Sequence, residues 1–224
     1  MKLSPNTLTV LKNFASINEN LLVDAGSTIK TINEDKTILG TATVAERFER
    51  GFGIHNLNQL LSLVGMFNDP ELELNEDHIL LSSGGRQCKY WFSEPSVLTS
   101  DTKDLSLPEI DVEVEVTQTD LNELTKAASI IGSSKIQMKS DGKENTTISV
   151  NDDDSQIGNS YMVRLDHKTD RVFDIKFAIS NLKLIPGDYK VSISSKFISK
   201  WESKSTSLPI HYFVAVDKGS TFNV

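Results

Sequence analysis

Pro186 and Gly187 divide residues 177–191 into two kinds of chain. Before them, Leu182, Leu184 and Ile185 supply an apolar side, and the spacing predicts one or two turns of helix over 177–184. Proline cannot continue a helix and glycine tolerates positive φ, so the chain turns sharply. After the turn, Tyr189, Val191, Ile193 and Ser195 alternate with Asp188, Lys190, Ser192 and Ser194, the period of a half-buried strand. Lys183 remains on the polar side. A helix that runs straight into a strand recurs, with a cruder turn, earlier in the chain. A fold built on that unit is α+β with internal repetition.

A chain of 224 residues makes one large domain or two of about 110 each, long enough to bury a core. No apolar run approaches the roughly 18–20 residues that span a bilayer, which argues against a membrane. Residues 1–6 enter an amphipathic pattern directly, without the apolar region of a signal peptide. Cys88 is the single cysteine, so no internal disulfide forms and a reducing compartment fits. The net charge of −8 opposes non-specific DNA binding by the surface as a whole, but allows it where basic residues gather on one face.

Residues 101–111 lack periodicity and contain Pro108, which reads as a connector. The division is an N-terminal domain over 1–104, a connector over 105–111 and a C-terminal domain over 112–224. In the first half, Ser4 is an N-cap with Pro5 at the first helical position, and Leu8, Leu11, Phe14 and Ala15 form the buried stripe. A second helix is predicted over 57–67, with Leu57, Leu60, Leu61 and Val64 inward. The second half repeats the order. Val112, Val114 and Val116 alternate as a strand, and residues 117–120 have the form of a capping box. Leu121, Leu124, Ala128 and Ile131 then mark a helix, strands follow, and the short helix at 177–184 precedes two final strands. Each half reads as helix, strands, helix, strands, a likeness of pattern and not of residues.

Chemistry-bearing motifs are scarce. Gly84-Gly85 is a turn and no phosphate-binding glycine loop exists. His55, His78, His167 and His211 lack metal-ligand spacing. Asp152, Asp153 and Asp154 form an acidic cluster without the alternation or glycine of a calcium loop, so a solvated hairpin tip is the plainer reading. Neither a catalytic set, a metal site nor a cofactor is expected. The remaining lead is basic: Lys12, Lys126 and Lys183 stand one on each of three predicted helices, with Lys2 and Lys176 flanking two of them. Their neighbours are Ser, Thr, Asn and Gln, Glu123 excepted. Solvated surface lysines are the plain alternative. If the polar helix faces line one surface, they suit loose contact with phosphates and read no base sequence.

Met1-Lys-Leu-Ser, Leu11-Lys-Asn-Phe-Ala with Ile17-Asn18, Leu57-Asn58 and Pro186-Gly-Asp-Tyr-Lys190 resemble the sliding clamps of large tailed bacteriophages, the DNA polymerase processivity factors. Residues 181–189 are also similar to the helix–turn–strand unit of eukaryotic and archaeal clamps. The resemblance implies the processivity fold: two similar domains, each with two helices on β-sheets, assembled as a homotrimer into a six-domain ring. It implies that the ring encircles duplex DNA, with Lys2, Lys12, Lys126, Lys176 and Lys183 as DNA contacts. It further implies tethering of the viral DNA polymerase, loading by an ATP-dependent clamp loader, service in late viral transcription, and residence in the cytoplasm of an infected bacterial host. Partner tails would dock on Leu105, Leu107, Pro108 and Ile110, with the C-terminal tail beside them. The second helix carries no basic residue, a departure from the family's lining. Two other readings stand beside this one: a structural ring or tube protein of a virion, and a small metal enzyme using Asp152–Asp154.

Overall fold

The structure, a computed structural model, describes residues 1–99, 105–143, 145–152 and 158–223. They fall into two compact units. The first holds residues up to 99 together with Ser207–Ile210, and the second holds 105–206 and the chain from His211 on. Among the described residues, no helix is long and apolar enough to cross a membrane.

The first unit opens with α1 (Pro5–Ile17), where the Ser4 hydroxyl accepts the Thr7 amide and Pro5 occupies the first turn. Val10, Leu11, Phe14 and Ile17 are buried on one face. Strands β1 (Leu21–Val23), β2 (Gly26–Ile32), β3 (Ile38–Phe48) and β4 (Phe52–Ile54) follow, with β1 paired to β4 and β2 to β3, both antiparallel. Gly53 is glycine because a Cβ there would lie 2.3 Å from the Ser93 carbonyl oxygen, and the Gly53 carbonyl accepts the Ser93 amide (3.0 Å) in an isolated bridge. Helix α2 (Leu57–Gly65) buries Leu57, Leu60 and Val64 and packs with α1. It stops two residues before the expected end, where the Met66 amide doubles back to the carbonyls of Leu63 and Val64. An antiparallel meander of β5 (Glu71–Leu74), β6 (His78–Ser83) and β7 (Arg86–Trp91) completes the unit.

The second unit begins with β8 (Val112–Val116), whose valines point inward while Glu113 and Glu115 pair outside with Lys190 (3.0 Å) and Lys204 (2.7 Å). Helix α3 (Gln118–Ile131) starts from the expected capping box between Thr117 and Asp120 and ends at Gly132, in the left-handed region at φ 87°. Strands β9 (Lys135–Asp141), β10 (Asn145–Asn151), β11 (Ser160–Lys168), β12 (Val172–Ala178), β13 (Tyr189–Ser194), β14 (Ile198–Ser203), β15 (Ile210–Ala215) and β16 (Thr221–Asn223) follow. One sheet runs β11-β10-β9-β12-β16, and β8, β13, β14 and β15 are successive neighbours in another. Helix α3 lies on β9, β10 and β11 through Leu124 and Ala128. The core is aromatic. Phe177 and Tyr189 both meet the fully buried Trp201 edge-on, at 5.5 and 6.3 Å between ring centres.

The helix expected over 177–184 does not form. Strand β12 continues through Ala178, and only a 3-10 turn, Ile179–Asn181, follows it. Phe173, Ile175 and Phe177 keep period 2 and are buried, with Phe177 directly opposite Ile136 of β9. Packing against Trp201 holds Phe177 in the sheet. Too few residues then remain before Pro186 to offset the cost of nucleating a helix. The fold is α+β as expected, but among the described residues the second unit has one α-helix and not two.

Candidate functional site

Two of the five expected lysines stand on helices. Lys12 is exposed on α1, opposite Val10 and Phe14, and Lys126 is exposed on α3, opposite Leu124 and Ala128. Among the described residues neither has an acidic partner. The exposed face around Lys12 is Thr9 and Ser16; that around Lys126 is Asn122, Glu123, Ser129 and Ile130. Ile130 is 77% exposed, an apolar residue on the polar side of the helix.

The other three lysines are placed differently. Lys2 is ion-paired with Asp69, whose hydrogen bond and charge hold its pKa above the ordinary lysine value. Lys176 lies on β12 opposite Gln137 of β9, while its neighbour Phe177 and Ile136 form the buried row. Cross-strand partners share a face, and successive residues alternate. The face toward α3 is marked by Val150 and its partner Tyr161, whose hydroxyl donates to Glu123 of α3 at 2.6 Å. Lys176 is therefore on the sheet face away from that helix. Lys183 is exposed but sits beyond the 3-10 turn, not on a helix. Its segment lies alongside α3, where Leu182, Leu184 and Pro186 share a cavity of about 100 Å³ with Leu121 and Thr125.

The connector residues are held by their polar neighbours. The Asp111 amide donates to the Ile193 carbonyl (2.9 Å), and its carboxylate accepts from Arg171 (3.0 Å) and the Ser195 amide (2.7 Å). Burial alone would raise its pKa, but those bonds outweigh it and keep the carboxyl below the ordinary range. Glu109 pairs with Lys196 at 3.6 Å. With the polar residues so engaged, Leu105 (41% exposed), Pro108 and Ile110 (54%) face solvent, and Leu107 is half-buried. The same turn carries Phe197, at φ 61°, its ring edge-on to Phe222 at 6.1 Å. Phe222 belongs to the C-terminal strand β16, which pairs with β12. Of the acidic cluster, Asp153 and Asp154 lie outside the described residues. Among those described, no group of three or more His, Cys, Asp or Glu side chains is arranged to hold a metal ion.

Two acidic residues that sequence reading passed over act at the helix starts. Glu46 of β3 is buried and accepts from the Ser4 amide and the Thr7 hydroxyl at the head of α1. Burial would raise its pKa, but the hydrogen bonds from Thr7 and Ser4 prevail and hold it below the usual glutamate value. Asp188 accepts the Gln118 amide at 2.9 Å at the head of α3. Both contacts join residues far apart in the chain. The only local hint was the carboxylate that follows Pro186-Gly187.

No family model matches the chain. Curated relatives match it from end to end. It is 27% identical to the sliding clamp of Vibrio phage KVP40 over 97% of this chain and 99% of the relative. It is 28% identical to that of Escherichia phage RB69 and 26% to that of Enterobacteria phage T4, over 99% of both chains in each case. Among solved structures, A. fulgidus PCNA bound to the C-terminal region of FEN-1 superposes with a TM-score of 0.73 at 12% identity, covering 96% of both chains. The proliferating cell nuclear antigen of Entamoeba histolytica superposes at 0.68 with 14% identity, covering 94% of both. The structural likeness supports the fold alone, and the sequence likeness runs the full length of the relatives. On the two together, the chain is similar along its whole length to the sliding clamps of three phages and has the fold of the PCNA structures.

Proposed function

We propose that this chain closes into a ring around duplex DNA and tethers the replicative DNA polymerase of a phage during processive synthesis. The observation that carries this reading is the end-to-end similarity to three phage sliding clamps on a chain with the PCNA fold. The protein acts by binding and not by catalysis. It works in the cytoplasm of an infected host, and an ATP-dependent loader opens and closes it. Lys12 and Lys126, on exposed helix faces and without acidic partners among the described residues, contact phosphates in the hole; Lys2, held by Asp69, and Lys183 contribute less, and Lys176, on the sheet face away from α3, is not among the contacts. Three copies at −8 each make a ring of −24, whose acidic exterior repels DNA while the lysines attract it inside. Leu105, Leu107, Pro108 and Ile110 receive the apolar tails of the polymerase and other partners. A virion tube protein is not favoured.

Assembly has a physical route. Among the described residues, strand β7 in the first unit and β11 in the second have no partner on their outer edges, and each presents an exposed apolar side chain, Trp91 (60%) and Met162 (53%). Open edges invite pairing with another chain. Pairing β7 of one copy with β11 of the next is head-to-tail, and such contacts close into a ring when the rotation per copy is a third of a turn. Analytical ultracentrifugation tests this: a trimer at micromolar concentration is expected, and Met162→Asp dissociates it. A strict monomer overturns the ring.

A further inference from the structure

A buried N–H without an acceptor leaves a hydrogen bond unmade, and such groups are rare in folded proteins. Among the described residues, three buried side-chain nitrogen or oxygen atoms lack a hydrogen-bond partner, and two of them are Nε and Nη2 of Arg50. These two atoms form one edge of the guanidinium, whose parallel N–H groups match the two oxygens of a carboxylate. Arg50 stands in the turn between β3 and β4, with its Cζ 5.6 Å from the centre of the Phe92 ring, within cation–π range. Phe92 stacks on Phe52 at 5.0 Å, and Phe52 meets Phe48 edge-on at 5.6 Å. The ring face balances part of the positive charge but offers the N–H groups no oxygen. Glu49 and Glu94 are exposed, and neither supplies an acceptor to those atoms. The frame around the arginine is fastened. Phe52 pairs with Val23, the Ser93 amide donates to the Gly53 carbonyl (3.0 Å), and the Thr99 amide donates to the Asn20 side chain (3.0 Å). Arg50 as a whole is only half-buried, so the fork lies close beneath the surface.

We propose that the Nε–Nη2 edge of Arg50 is a binding site for one carboxylate, presented by an acidic side chain or by the chain end of a partner protein. Two oxygens meet two donors, and one negative charge meets one positive charge. A phosphate group is the poorer fit. It brings up to two negative charges to a single cation whose sequence neighbours include Glu49 and Glu94, and like charges repel. The phenylalanine platform strengthens the pair, because a charge-assisted hydrogen bond gains where water is excluded. The site uses none of the residues assigned to DNA or to partner tails, so it does not depend on closure of the ring.

Selective isotope labelling of arginine in the full chain leaves five Nε resonances, and Arg50→Lys identifies that of Arg50 by its loss. Sodium acetate is titrated against sodium chloride at equal ionic strength. The Arg50 Nε–H resonance should move saturably with acetate and stay still in chloride. Arg50→Lys also separates the site from a stacked cation, because it keeps a positive charge above Phe92 and removes the fork. At about ten times the half-saturating acetate concentration, the parent's unfolding constant should fall about elevenfold relative to chloride, and that of Arg50→Lys should not. If the parent's resonance ignores acetate, or if Arg50→Lys is stabilised equally, the proposal falls and Arg50 is a stacked cation only. If inorganic phosphate moves the resonance at lower concentration than acetate does, the carboxylate assignment falls. Two glycine–serine peptides distinguish the sources: one with a free C-terminal carboxylate, the other amidated and carrying a single glutamate. The peptide that moves the Arg50 resonance names the source, and a response to neither overturns the partner-protein reading.

Discussion

The two units solve the same problem with different amounts of helix. The first packs α1 against α2 over its sheets, and its second helix carries no basic residue. The second has α3 alone, with a 3-10 turn and the segment 182–187 lying beside it. What replaces helix is aromatic volume: Phe177, Tyr189, Trp201 and Tyr212 are all buried in one cluster that includes an indole, whereas the first unit's cluster is the three phenylalanines Phe48, Phe52 and Phe92. Tyr189 and Tyr212 also hold the turn itself, since the Tyr189 hydroxyl donates to the Ile185 carbonyl (2.5 Å) and the Ile185 amide donates to the Tyr212 oxygen (3.2 Å). Burial drives both phenol pKa values far up, so these bonds persist at any ordinary pH. The comparison teaches that a helix in this fold can be exchanged for a packed turn when a large side chain beneath it fixes the strand that precedes it.

The heaviest blow to that contrast is Trp201→Ala. It removes the ring on which Phe177 and Tyr189 rest and should cost about 3–5 kcal/mol. Calorimetry should show the loss in the second unit's transition, with the first unit's less changed; a uniform shift of one transition would mean that the units unfold together.

The helix starts rank next. Glu46→Ala strands a buried amide and hydroxyl and should cost about 1–3 kcal/mol. Asp188→Ala, at an exposed site, should cost less by urea unfolding. Equal losses would remove the distinction between the buried and the open cap. Glu46 also gives a pH test. Its folded pKa lies below the ordinary value, so its contribution is intact above about pH 4.3 and is lost as pH falls through the folded pKa. The stability gap between parent and Glu46→Gln should shrink only in that acid range.

The proposed lysine contacts act on DNA and not on folding. Lys12→Ala with Lys126→Ala should leave the oligomeric state unchanged and weaken retention on circular DNA. The slope of log affinity against log salt should fall by about one for each phosphate contact removed. Testing each alone asks which unit grips harder; no change from either would mean that these lysines face elsewhere. The smallest effect is expected from Ile110→Ser, which should lower polymerase stimulation while leaving stability within about 0.5 kcal/mol, as for other exposed positions.

Wherever the information is local, the chain's own order determined the outcome. Ser4 and Pro5 open α1, Thr117 and Asp120 box α3, and the alternation of Val112, Val114 and Val116 makes a strand, because each depends on atoms within one or two turns. The α+β class and the exposed positions of Lys12 and Lys126 follow from the same short-range periodicity. The tertiary structure alone decided the rest. The stretch 177–184 carries an apolar side that suits a helix, but burial of Phe177 against Trp201, 24 residues further on, makes it strand and 3-10 turn. The same is true of Lys2 on Asp69, and of Glu46 and Asp188 at the helix starts. Those contacts join residues 39 to 70 positions apart, and no periodic pattern carries a partner's identity over such a distance.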